Sequence, residues 1–152
     1  MSTAFLPLHQ RESMDLPFFE AAHKDYLRRV EAFADGRDDP PATAANVDAG
    51  CRELVRAMGA AGLLRASVPQ AYGGDSPTVE SRRLTLAREA LAYRHGLADF
   101  AFAMQGLGSG AISLAGSEVL KAAILPKVAR GECIPAFALS EKEAGSDAAG
   151  DL

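Results

Sequence analysis

With 152 residues, 48% of them apolar and 24% charged, the chain is long enough to bury a real core as one compact unit, and its composition is not that of a disordered protein. Sixteen basic and twenty acidic residues leave a net charge of -4, which excludes the basic footprint of a nucleic-acid or anionic-membrane binder. Near the amino end a short apolar patch is broken by Pro7, too brief for a signal-peptide core, and no stretch approaches a membrane span, so a cytoplasmic location is expected.

Across 17–34, the residues Phe19, Ala22, Tyr26, Val30 and Phe33 recur in steps of three and four, with Pro17 near the start and Gly36 past the end, the pattern of an amphipathic helix. A polar loop, "DGRDDPPATAAN", follows. Val47, Cys51, Leu54, Val55, Met58 and Ala61 then form a second helical stripe closed by Gly62, and the two helices are expected to pair as a hairpin. Residues 63–78, "LLRASVPQAYGGDSPT", carry two Pro and a Gly pair and read as a connection whose backbone enters conformations that favour Gly. Ser76 before Pro77 is a start signal for a third helix that runs to about His95. Leu84, Ala87 and Leu91 lie on one side of it and Leu86, Ala90 and Tyr93 on another, as expected of a helix inside a bundle.

A fourth helix, about 98–115, has the best periodicity of all, through Phe100, Met104, Leu107, Ala111 and Leu114. It also contains Gly106, Gly108 and Gly110, each about 1 kcal/mol less favourable than Ala inside a helix. Something must therefore approach that backbone closely, either a neighbouring helix or a bound ligand. The fifth helix is capped by Ser117, has Glu118 in its first turn and is closed by Pro126. After it, "PAFALS" at 135–140 reads as a strand, so the period changes at about residue 133.

Three motifs then resemble the amino-terminal part of the flavin-dependent acyl-CoA dehydrogenases: "VPQAYGG" at 68–74, "GSEVLKAAILPKVARGE" at 116–132 and "FALSEKEAGSD" at 137–147. The resemblance implies an all-α, up-and-down helical domain over 1–132, followed over 133–152 by the first strand and turn of a middle β-domain. It also implies FAD as cofactor, with Phe137, Ala138, Leu139, Ser140, Gly145 and Ser146 on the flavin side. A polar backbone aimed at the pyrimidine edge of the ring would stabilise charge that develops on reduction. Ser146 would also contact the acyl-CoA or acyl-carrier thioester, and Met104, Leu107, Gly108 and Ala111 would wall the acyl chain. The family's catalytic base belongs to a carboxyl-terminal helical domain, so no catalytic residue is expected here. The missing domains or a complementary chain would be partners, and homotetramers are the family's usual assembly. Lys142 stands where the family most often has Pro, which removes a fixed φ from the turn.

From these features the chain is expected to be the amino-terminal portion of an oxidoreductase that desaturates acyl thioesters, either one part of a longer polypeptide or one piece of a split enzyme, with weak or no FAD binding alone. A non-catalytic helical interaction module and a flavin oxidase or monooxygenase are the alternatives. Simpler readings suffice elsewhere. Glu141, Glu143 and Asp147 form a solvated acidic turn and not a metal site; His9, His23 and His95 lack ligand spacing; Cys51 and Cys133 read as reduced thiols.

Overall fold

The computed structural model describes residues 13–38, 42–140, 142 and 145. Among the described residues the named α-helices are α1 (Ala21–Asp35), α2 (Val47–Ala60), α3 (Ser81–Arg94), α4 (Gly96–Ala115) and α5 (Glu118–Ala129). Two short 3-10 turns, Leu63–Ser67 and Gln70–Tyr72, join α2 to α3. The fold is all-α, as its periodicity predicts. Among the described residues, no helix is long and apolar enough to cross a membrane.

Helix α1 buries His23, Tyr26, Leu27 and Val30 with Phe19 and Phe33 packed against the same core, so the expected stripe holds except at Ala22, which faces out while His23 is buried. The reason is polar: the Glu20 amide donates to His23 Nδ1 at 3.0 Å, so the imidazole satisfies an orphan donor at the helix start and can be buried. Tyr26, also buried, donates its hydroxyl to the Leu63 carbonyl at 3.0 Å.

The expected α1–α2 hairpin is not the arrangement found. Helix α1 packs chiefly on α3, and α2 packs on α4. Periodicity says which face of a helix is buried, not which helix covers it, and the connection between α1 and α2 is long enough to let them part. A polar contact still links them: Arg29 of α1 donates to the Ala61 and Gly62 carbonyls at 3.1 and 3.2 Å, capping the end of α2.

Helix α3 starts four residues later than Ser76–Pro77 predicts. The Ser76 hydroxyl does not cap it; it donates to Glu80 Oε2 at 2.9 Å, while the Ser76 carbonyl accepts from the Gln70 amide. Between them the connection turns through Gly73 at φ 98°, followed by Gly74, where a Cβ would sit 1.8 Å from the Val68 carbonyl oxygen.

Helix α4 buries Ala98, Ala101, Phe102, Gln105 and Ser109, whereas its best apolar stripe lies outward: Phe100, Leu107 and Leu114 are 57%, 51% and 87% exposed. Gln105 Nε2 donates to the Ala101 carbonyl and Ser109 Oγ to the Gln105 carbonyl, so both buried polar side chains bond back to their own helix.

Helix α5 is capped as expected, the Leu120 amide donating to Ser117 Oγ at 3.3 Å. Pro126 does not close it. The helix continues three residues beyond, because Pro removes only its own N–H and its carbonyl still accepts from the Arg130 amide. Leu125, Val128 and Ala129 join Val68 in a small second cluster beside the main core, which gathers around Tyr26, Leu54, Met58, Leu64, Leu91 and Phe102. The turn after α5 meets α2 backbone to backbone: a Cβ on Gly59 would lie 2.2 Å from the Arg130 carbonyl oxygen.

Residues 133–140 carry neither helix nor the expected strand. A strand is defined by its ladder, and among the described residues none lies beside this segment to complete one.

Candidate functional site

An open groove of about 840 Å³ runs between α3 and α4. Helix α3 contributes Ser81, Leu84, Thr85, Arg88 and Glu89; α4 contributes Asp99, Phe102, Ala103, Gly106 and Leu107. Helical spacing explains the set, since 81, 84, 85 and 88 share one face of α3, and 99, 102, 103 and 106 share one face of α4. The small residues Ala103 and Gly106 leave the space, and Leu84, Phe102 and Leu107 make it apolar.

Across this groove Arg88 grips Asp99 with two parallel bonds, Nε to Oδ1 at 2.8 Å and a terminal amine to Oδ2 at 3.0 Å. The hydrogen bond and charge of Asp99 raise the Arg88 pKa, so this guanidinium stays charged. The pair joins the two walls, and Leu84, Phe102, Ala103 and Leu107 leave the rest of the groove mostly apolar.

The segment after α5 lies against the same helix. Pro135 and Ala136 rest on Gly108, and from there Phe137, Ala138, Leu139 and Ser140 are exposed. Among the described residues, no backbone-to-backbone hydrogen bond engages residues 133–140.

Two polar clusters brace the connection next to these features. Glu80 lies 2.9 Å from Arg82 and from Arg83 and 3.5 Å from His23 Nε2, and Asp75 lies 2.7 Å from Arg65 and 3.6 Å from Arg83. Burial works to raise the Glu80 carboxyl, but the hydrogen bonds from Ser76 and Arg82 and the charges of His23 and Arg83 outweigh it and hold it below the ordinary carboxylate value. On the other side Tyr72 donates to the Glu118 carboxylate, which Lys121 also reaches at 3.1 Å. These bonds lower the Glu118 carboxyl, that from Tyr72 most, and raise the Tyr72 phenol.

Of the substrate-wall residues expected from sequence, Leu107 lines the groove. Met104 is half-buried off that lining, Ala111 is exposed one turn beyond Leu107, and Gly108 meets Pro135. Gly145 is exposed at φ 60°, and Ser146 lies outside the described residues, as do His9, Glu141, Glu143 and Asp147. Cys51 and Cys133 are both free and half-buried, and burial pushes the Cys51 thiol up. Among the described residues no three His, Cys, Asp or Glu side chains gather as a metal site. Sequence reasoning missed the Arg88–Asp99 pair, eleven residues apart across a helix corner, and the Glu80 cluster, whose members come from three elements.

Residues 20–132 match the family described as acyl-CoA dehydrogenase, N-terminal domain. A probable acyl-CoA dehydrogenase, fadE25, of Mycobacterium leprae is 35% identical over 130 residues, covering 84% of this chain and 32% of its own length. A probable acyl-CoA dehydrogenase of Bacillus subtilis is 40% identical over 97 residues, 64% of this chain and 16% of that protein. The glutaryl-CoA dehydrogenase of Desulfococcus multivorans is 31% identical over 96 residues, 62% of this chain and 25% of that protein. The chain spans about a third of the length of the mycobacterial relatives it matches.

Proposed function

The chain belongs to the acyl-CoA dehydrogenase family, and from that membership we propose that it forms the helical side of a flavin-dependent site that desaturates acyl thioesters between the α and β carbons. The observation that carries this reading is the double use of α4. Phe102, Ala103, Gly106 and Leu107 line the groove, and Gly108 on the same turn meets the segment whose open backbone follows at 137–140.

In this reading the acyl chain lies between Leu84 and Leu107, with the Arg88–Asp99 pair joining the two walls. Ala111 extends the wall one turn further, and Met104 supports it from behind. The backbone of Phe137, Ala138 and Leu139, with the backbone and hydroxyl of Ser140, holds the polar edge of FAD together with Gly145 and Ser146, and Ser146 also contacts the thioester. Bound there, the flavin supplies the hydride acceptor for the β carbon. The group that removes the α proton comes from outside this chain, from the carboxyl-terminal helical domain of the complete protein. The complete protein assembles as a homotetramer.

With only part of the site's walls, the chain alone binds FAD weakly, with Kd on the order of 0.1 mM. Titrating the purified chain with FAD and following flavin fluorescence measures this. Saturable quenching that weakens in Ser140→Ala supports the reading; no interaction at millimolar FAD, or one that Ser140→Ala leaves unchanged, overturns the placement of the flavin.

A further inference from the structure

Three glycines are packed into one stretch of α4, but only one of them has a neighbour that demands it. A Cβ on Gly110 would meet nothing within 4 Å, and one on Gly106 would meet only Ser67 Oγ at 3.8 Å, an ordinary contact. On Gly108 the same atom would lie 2.8 Å from both the carbonyl carbon and Cβ of Pro135 and 2.9 Å from the Ala136 nitrogen. Two of those are backbone atoms, so no rotamer change relieves the overlap. Gly108 sits in the interior of a regular helix and has no positive φ, so backbone conformation gives no reason for glycine there.

We infer that Gly108 is a positioning residue, a seat on α4 that fixes where the flavin-facing segment leaves the helical domain. The inference rests on the flavin role proposed above for 137–140. Three features support it. Pro135 has a locked φ and no N–H, so the point of contact is the stiffest residue of the segment. Among the described residues no backbone hydrogen bond holds 133–140, which leaves side-chain and steric contacts to set its path. Cys133 packs on the small second cluster, giving an anchor two residues before the seat, while Phe137 and Leu139 beyond it stand exposed. The segment is thus fixed at 133 and 135 and free from 137, and the seat sets the direction in which the free part points.

Restoring normal contact around a methyl group at 108 requires Pro135 to move by roughly 0.7 Å, from 2.8 Å toward about 3.5 Å. Misplacement on the scale of 1 Å at a binding constellation is enough to lower its performance by about 100-fold.

The test compares Gly108→Ala with Gly110→Ala in the same chain, using the backbone amide resonances of 137–140 in NMR spectra and FAD titration with the visible spectrum of the bound flavin. Both variants gain a better helix former. Gly110→Ala is expected to keep the wild-type resonance positions at 137–140, affinity and band shape. Gly108→Ala is expected to shift the 137–140 resonances, weaken FAD at least tenfold and shift the flavin band. Pro135→Ala, which leaves the sequence of α4 unchanged, should shift the same resonances and weaken FAD, and guards against a Gly108→Ala chain that does not fold. If Gly108→Ala and Pro135→Ala both match Gly110→Ala at 137–140, the seat is refuted. If the wild-type chain binds no FAD but the 137–140 resonances still respond to Gly108→Ala, the seat stands and the flavin reading falls.

Discussion

Helix α4 turns Ala98, Ala101, Phe102, Gln105 and Ser109 into the core, while Phe100, Leu107 and Leu114 stand on its outer side. By hydrophobicity alone the sides should be reversed. Close packing chooses the inner side: small residues let neighbouring helices approach, one aromatic ring fills the space, and the polar pair returns its bonds to the helix. The outer side has the regular apolar stripe and no cover among the described residues. Val119 and Leu120 of α5, Ile134 and Phe137 are exposed as well, so several large apolar side chains stand uncovered among the described residues. An apolar stripe in a sequence therefore marks a surface that something must cover, without saying that this part of the chain covers it.

The largest test of that contrast is a pair of truncations. Phe102→Ala should cost about 3–5 kcal/mol, because a fully buried ring is lost from a packed site, whereas Leu114→Ala should stay within about 0.5 kcal/mol. Urea midpoints at constant m-value measure both, and equal losses would break the comparison. Next in size, Gly59→Ala should cost about 1–3 kcal/mol, since its methyl would overlap the Arg130 carbonyl that ties the turn after α5 to α2. A neutral result there would mean that the second cluster moves independently of the core.

A smaller effect sharpens the polar side of the inner architecture. The folded Glu80 carboxyl lies below its unfolded value, so its cluster adds stability above the ordinary carboxylate range and loses it as pH falls through the folded value. Glu118 and Glu132 shift the same way at the surface, Glu132 through its bond from Arg130. Glu80→Gln should cost about 1–2 kcal/mol at neutral pH and flatten the acid side of a stability–pH curve; an unchanged acid slope would remove Glu80 from that role. Smallest in stability is the double change Leu114→Ser with Val119→Ser, expected within about 0.5 kcal/mol of the parent. Its signal is association: sedimentation should show the parent self-associating at high concentration and the variant shifted toward monomer.

The helices were readable because their periods are long and their stops carry Gly, as at Gly62 after α2. Pairing was not. A stripe gives a face, and the choice of α3 as the partner of α1 depends on shapes that meet only in the fold. Local signals misled where a side chain found a better partner than the helix end, as Ser76 did in Glu80. The site was legible in the same uneven way. Leu107 and residues 137–140 are expected as site residues only through the family resemblance, and of these Leu107 lines the groove. The Arg88–Asp99 pair stayed hidden because no local pattern marks two charges that meet across a corner, and Gly108 was marked as a close approach without a hint that the approaching atoms belong to the chain's own Pro135.

The Arg29 cap on α2 has a consequence for how the chain comes to be folded. Two helices that do not lie side by side share one helix terminus, so the end of α2 is finished by a residue made more than thirty positions earlier. A chain emerging amino end first already carries Arg29 when the Ala61 and Gly62 carbonyls appear, and α2 can be closed before α4, its main packing partner, has been synthesised. The guanidinium thus gives an early fragment one tertiary bond to hold while the rest of its core is still to come.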